Sequence, residues 1–156
     1  MQIDSIDRRI LSQLQHDAGL SNQELAEKVA LSPSACLRRV RALEESGIIK
    51  GYRAVLDADK LGFELEAVVH VVLNHNRPDW HEQFMAVVAL HEEIVQASTV
   101  TGASNYILVV RTRDLKAFSS FIEDKLIQLP NVRDVCSHIV MRKVKDHHGV
   151  LPLGGG

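Results

Sequence analysis

The residue pattern of this chain changes character at Asp57-Ala-Asp-Lys-Leu-Gly62, and that break constrains its fold more than any single motif. Upstream, apolar residues recur at helical spacing in three short segments. Downstream, runs that alternate every second residue are interspersed with helical ones. A fold of one period throughout is therefore excluded, and 156 residues suffice for two small domains. The expected division is a helical domain over 1–56, a linker over 57–63, an α+β domain over 64–146 and a tail over 147–156.

The upstream half reads as three helices. Asp4 or Ser5 caps the first, Asp7 stands in its opening turn, and Ile6, Ile10, Leu11 and Leu14 share a face. Ser21, with Glu24 three residues later, forms a capping box for a second helix over 22–29 that turns Leu25, Ala26 and Val29 inward. After the tight connection Ala30-Leu31, Ser32 is an N-cap and Pro33 suits the first helical position. The third helix runs to about Ser46 and stops at Gly47, with Cys36 or Leu37, Val40 and Leu43 as its apolar stripe. From Ile48 to Leu56, two short β-like runs broken by Gly51 read as a small hairpin or wing.

The downstream half reads β-α-β-β-α-β. Strands are expected over 64–73, 94–101, 105–112 and 132–144, with Gly102-Ala103-Ser104 as the turn between the middle two. One helix follows Pro78-Asp79 and carries Trp80, Phe84, Val87 and Val88. The other, capped by Asp114, carries Leu115, Phe118, Ile122 and Leu126. This order is that of a ferredoxin-like sheet, whose two helices cover one face. In the first strand Leu65, Ala67, Val69, Val71 and Leu73 share one face and Val68, His70 and Val72 the other, so both faces are apolar. The uncovered face predicts a homodimer in which sheets or their edges pair.

The formal net charge of −2 argues against a chain coated with basic residues. The charges are nonetheless uneven. Arg38, Arg39, Arg41, Lys50 and Arg53 fall in one short stretch, opposed there only by Glu44 and Glu45. Arg38 and Arg41 share a face of the third helix, Arg39 flanks them, and the small residues Ser34 and Ala35 at its N-terminus permit close approach. Helix, tight turn and second helix with a basic face are what a helix-turn-helix needs to place side chains against base edges and phosphates in a major groove. A basic helix alone is more often a solvated face with internal charge pairs. The tight turn, the Ser-Pro cap and the expected wing favour DNA. The candidate contacts are Ser21, Asn22, Gln23, Ser32, Ser34, Ala35, Arg38, Arg39, Arg41, Lys50 and Arg53.

The stretch from Leu31-Ser-Pro-Ser-Ala-Cys-Leu-Arg-Arg-Val-Arg to Gly51-Tyr52 resembles the recognition helix and wing of the Lrp/AsnC (leucine-responsive regulator) family of transcription factors. The resemblance continues upstream through Asp4-Ser-Ile-Asp-Arg-Arg-Ile-Leu and Leu20-Ser-Asn-Gln-Glu-Leu-Ala. Downstream it continues through Val100-Thr-Gly, Tyr106-Ile-Leu, Leu129-Pro-Asn-Val and Val140-Met. It implies an N-terminal winged helix-turn-helix followed by a β-α-β-β-α-β ligand-sensing domain. It also implies homodimers assembling to octamers, and an amino-acid effector bound near Thr101, Gly102, Ala103, Ser104, Asn105 and Tyr106, with Ser137 lining the same pocket. The family commonly has acidic residues at the positions of Ala103 and Asn105. This sequence has neither, which leaves backbone carbonyls, Ser104 and Asn105 to meet a ligand's polar groups. The implied partners are double-stranded DNA and a small effector.

Other chemistries find little support. Eight histidines occur, but no CxxC or HxxxH spacing does, so no metal and no cofactor are expected. Cys36 and Cys136 lie too far apart to suggest a disulfide framework, and Cys36 reads as a packing residue. No nucleophile elbow, P-loop or dinucleotide fingerprint is present, and an enzyme would leave the helix-turn-helix unexplained. No apolar run approaches the roughly 20 residues of a membrane helix, and the N-terminus lacks a secretory pattern, so a cytoplasmic protein is expected. An architectural DNA-binding protein whose second domain only oligomerises is the alternative.

Overall fold

The computed structural model describes residues 2–74 and 80–145, without the side chain of Trp80. The expected helix start at Pro78-Asp79, His75, His147-His148 and the 147–156 tail lie outside the described residues. The chain divides into two compact units, one formed by the residues up to Val55 and one by Leu56–Val144.

The first unit contains α1 (Ser5–His16), α2 (Asn22–Val29) and α3 (Pro33–Glu45). Local chemistry sets their ends. Asp4 and Asp7 form a reciprocal capping box on α1, and Ser21 and Glu24 form another on α2. Ser32 accepts a hydrogen bond from the Ala35 N–H, and Pro33 opens α3. Ala30 adopts a left-handed conformation (φ 57°), which makes the α2–α3 turn tight. Gly47 (φ 73°) lets the chain reverse, so that the Ile48 and Ile49 N–H groups return to the Leu43 carbonyl. The core is small: Ile10, Leu11, Leu25, Ala26, Val29, Cys36 and Leu43. Cys36, not Leu37, is the buried member of the α3 stripe, and burial pushes its thiol pKa up.

The expected hairpin at Ile48–Leu56 is not formed. The segment carries no strand, because no partner stretch of the described chain pairs with it. Tyr52, Val55 and Leu56 stay exposed, and the Tyr52 hydroxyl donates to Glu44 Oε1 at 2.8 Å. Burial and that carboxylate push the Tyr52 pKa up to about 12.

The second unit holds β1 (Leu65–Leu73), α4 (Trp80–Leu90), β2 (Ile94–Thr99), β3 (Tyr106–Thr112), α5 (Leu115–Phe121) and β4 (Val132–Ile139). The sheet is antiparallel in the order β2-β3-β1-β4. The period-2 alternation buries Ala67, Val69, Val71 and Leu73 with Tyr106, Leu108 and Val110 under Phe84, Phe118, Phe121, Ile122 and Leu126. Val68, His70, Val72, Ile107 and Val109 face the other way and remain half-buried, as the alternation implied. β4 ends at Ile139, five residues short of the expected 144. Beyond it one further N–H, that of Val140, reaches the Glu66 carbonyl, while Met141 and Val144 stay exposed.

Candidate DNA-binding face and effector turn

On α3 the burial of Cys36 and Leu43 fixes which face turns outward. Ser34, Leu37, Arg38, Arg41, Ala42 and Glu45 line one open surface. Arg38, Arg41, Lys50 and Arg53 are exposed and make no ion pair among the described residues. Their guanidinium and ammonium groups are therefore available to phosphate or guanine. Leu37, 38% exposed, lies on this face as an apolar side chain among the polar ones. The signal was present in the sequence, since Cys36 and Leu37 are adjacent and only one of them can enter the core.

Several expected contacts have other duties. Arg39 Nη1 donates to Asp4 Oδ2 at 2.7 Å and to Asp7 Oδ1 at 2.8 Å, tying α3 to the start of α1. Asn22 Nδ2 donates to the Pro33 carbonyl at 2.9 Å, locking the start of α2 onto α3. Ser21 and Ser32 cap their helices, and the Ser32 and Ser34 hydroxyls meet at 3.3 Å. Ala35 is half-buried. Gln23 is exposed, beside Glu27 at 3.4 Å.

The turn after β2 sorts its residues in a similar way. Thr101, Gly102 and Ala103 are exposed. Gly102 has φ 114° with open space where a Cβ would point, so backbone conformation rather than crowding calls for glycine. The Ser104 hydroxyl lies 3.2 Å from His70 Nδ1 on the uncovered sheet face. Asn105 Oδ1 accepts from the Leu73 N–H at 2.7 Å, while the Asn105 N–H donates to the Val71 carbonyl. Tyr106 is buried against Phe84, its hydroxyl hydrogen-bonded to His81, and burial raises its pKa. Asn105 and Tyr106 are thus held by contacts within the fold, Asn105 through β1 and Tyr106 in the core. Ser137 is exposed in register with Val69 on β4, across β1 from the turn, so one chain does not bring the two together.

At the outer end of the uncovered face, Glu66 sits between Arg111 and Lys143. Burial opposes its ionisation, but hydrogen bonds from the two cations hold its carboxyl below the usual range.

A family model for the Lrp/AsnC ligand binding domain matches residues 66–150, and one for winged helix-turn-helix DNA-binding matches residues 3–50. The leucine-responsive regulatory proteins of Salmonella typhimurium and Escherichia coli K12 are 43% and 42% identical over 149 residues, covering 96% of this chain and 91% of theirs. The chain belongs to the Lrp/AsnC family. Among solved structures, a transcriptional regulator of Neisseria meningitidis in complex with L-Met superposes with a TM-score of 0.93 at 36% identity, covering 96% of both chains. An AsnC family transcriptional regulator from Agrobacterium tumefaciens gives 0.88 at 31% identity, covering 94% of this chain and 95% of that one. This Lrp/AsnC protein is thus a DNA-binding transcriptional regulator whose activity is modulated by a small effector. No helix among the described residues is long and apolar enough to cross a membrane.

Proposed function

We propose that this regulator reads duplex DNA with Ser34, Leu37, Arg38 and Arg41 of α3, while Lys50 and Arg53 bind phosphate. The observation that carries the reading is the outward placement of Arg38 and Arg41, three residues apart on one exposed face and free of carboxylate partners among the described residues. The chain acts by binding rather than by catalysis, in the cytoplasm. The half-buried apolar sheet face around Val68, Val72, Ile107 and Val109 supports a homodimer, with dimers assembling further towards an octamer. Two recognition helices related by a two-fold axis then favour near-palindromic sites.

The effector is an apolar amino acid held beside Thr101–Ser104, between copies of the chain. The L-Met complex of the Neisseria regulator, 36% identical, supports this class. With no acidic side chain in the turn, backbone carbonyls and the Ser104 hydroxyl meet the ligand ammonium. Such a ligand shifts DNA binding only through different affinities for different assemblies. A melting-temperature screen against the twenty amino acids tests this, because a ligand of the folded state raises stability. L-Met or another apolar amino acid at millimolar concentration is expected to raise Tm. A uniform absence of shift leaves the architectural reading, in which the second domain only assembles the protein on DNA.

A further inference from the structure

The polar groups at the start of α1 are arranged to hold an arginine of α3. Asp4 Oδ1 accepts from the Asp7 N–H at 2.8 Å and Asp7 Oδ2 from the Asp4 N–H at 3.2 Å, which completes the capping box. The other oxygen of each carboxylate accepts from one Arg39 nitrogen, at 2.7 and 2.8 Å. All four carboxylate oxygens are thus engaged, two for the cap and two for the guanidinium. Asp7 is 3% exposed, so its charge is buried and needs a cation beside it. Successive helix residues are rotated by about 100°. Anchoring Arg39 to α1 therefore fixes the roll of α3 that carries Arg38 and Arg41 outward.

We infer that Arg39 is a positioning residue for DNA recognition: it touches no DNA and acts through Asp4 and Asp7 to set the rotation of the recognition helix. This rests on the proposed reading of α3. It also makes a prediction of unusual sign. Removing an acidic charge from a DNA-binding unit ordinarily strengthens its attraction to phosphate. Here, removing Asp4 or Asp7 weakens binding, because it releases Arg39.

The test uses the full chain and a duplex selected by it from a random library, with affinity measured by fluorescence anisotropy across a salt series. Thermal melts confirm that each variant is folded at the assay temperature. Arg39→Gln is expected to weaken binding on the order of tenfold while leaving the slope of log affinity against log salt unchanged. Asp4→Asn, at a partly exposed position, is expected to weaken binding in the same direction. The Asp4→Asn/Arg39→Gln double variant is expected to bind no more weakly than the single Arg39→Gln. Arg38→Ala serves as the control for a DNA-contacting arginine. The inference is overturned if Arg39→Gln reduces the salt slope by about 1, or if Asp4→Asn tightens binding and its effect adds to that of Arg39→Gln. A failure of the DNA reading itself is distinct: Arg38→Ala then binds like the unaltered protein.

Discussion

The two units of this chain are stabilised by different means. The first surrounds a core of seven buried apolar side chains, among the described residues, with two capping boxes, a Ser-Pro cap and the two ion pairs of Arg39 with Asp4 and Asp7. The second relies on a larger apolar layer between sheet and helices, and its polar ties cluster at the ends of strands. The contrast follows from their tasks. A recognition helix must leave one charged face bare, so its orientation has to be fixed by polar contacts on its flanks. A sheet that leaves one apolar face open draws its stability within the chain from the packed reverse side.

That comparison is broken most forcefully in the sheet. Leu108 is fully buried beneath the helices, so Leu108→Ala is expected to cost about 2–5 kcal/mol of stability. Chemical denaturation followed by far-UV circular dichroism measures this. A cost below roughly 1 kcal/mol would mean that the reverse side is not the stabilising layer. A smaller effect is expected from Ser32→Ala, about 1 kcal/mol, because the cap of α3 is lost while the core is untouched. Amide exchange should then rise at the start of α3 and stay unchanged in β1 and β3. Equal changes in both units would erase the distinction.

The smallest effect concerns acid. The Asp7 backbone N–H and then the Arg39 guanidinium hold the Asp4 carboxyl below its ordinary range, and the Ser21 cap does the same for Glu24. A carboxyl whose folded pKa is depressed adds stability above its unfolded value and loses it as pH falls through the folded one. Stability should therefore fall below about pH 4, and Asp4→Asn should flatten part of that fall. An acid titration of helical signal with the same profile for both proteins would show that the pair contributes nothing.

Much of the fold was legible because its signals are local. Ser21-Asn-Gln-Glu24, Ser32-Pro33 and Gly47 mark helix ends through hydrogen bonds made within a few residues, and β1 alternates visibly from Leu65 to Leu73. What the sequence leaves unread involves partners distant along the chain. Arg39 looks like Arg38 until Asp4 and Asp7, more than thirty residues earlier, are placed beside it. Nothing local to Asn105 shows that its Oδ1 meets the Leu73 N–H. Ile48–Leu56 has strand-forming residues, but the described chain supplies no strand to pair with them. In the turn, Thr101–Ala103 are exposed and Ser104 is half-buried.

The most direct test of the account is the affinity of the full-length protein for its selected duplex, with and without the Arg38 side chain. Arg38→Ala is predicted to lose about 1–3 kcal/mol of binding, with either relaxed sequence preference or a shallower salt dependence, and with an unchanged melting temperature. Unaltered affinity, sequence preference and salt slope would contradict the assignment of α3 as the helix that reads DNA.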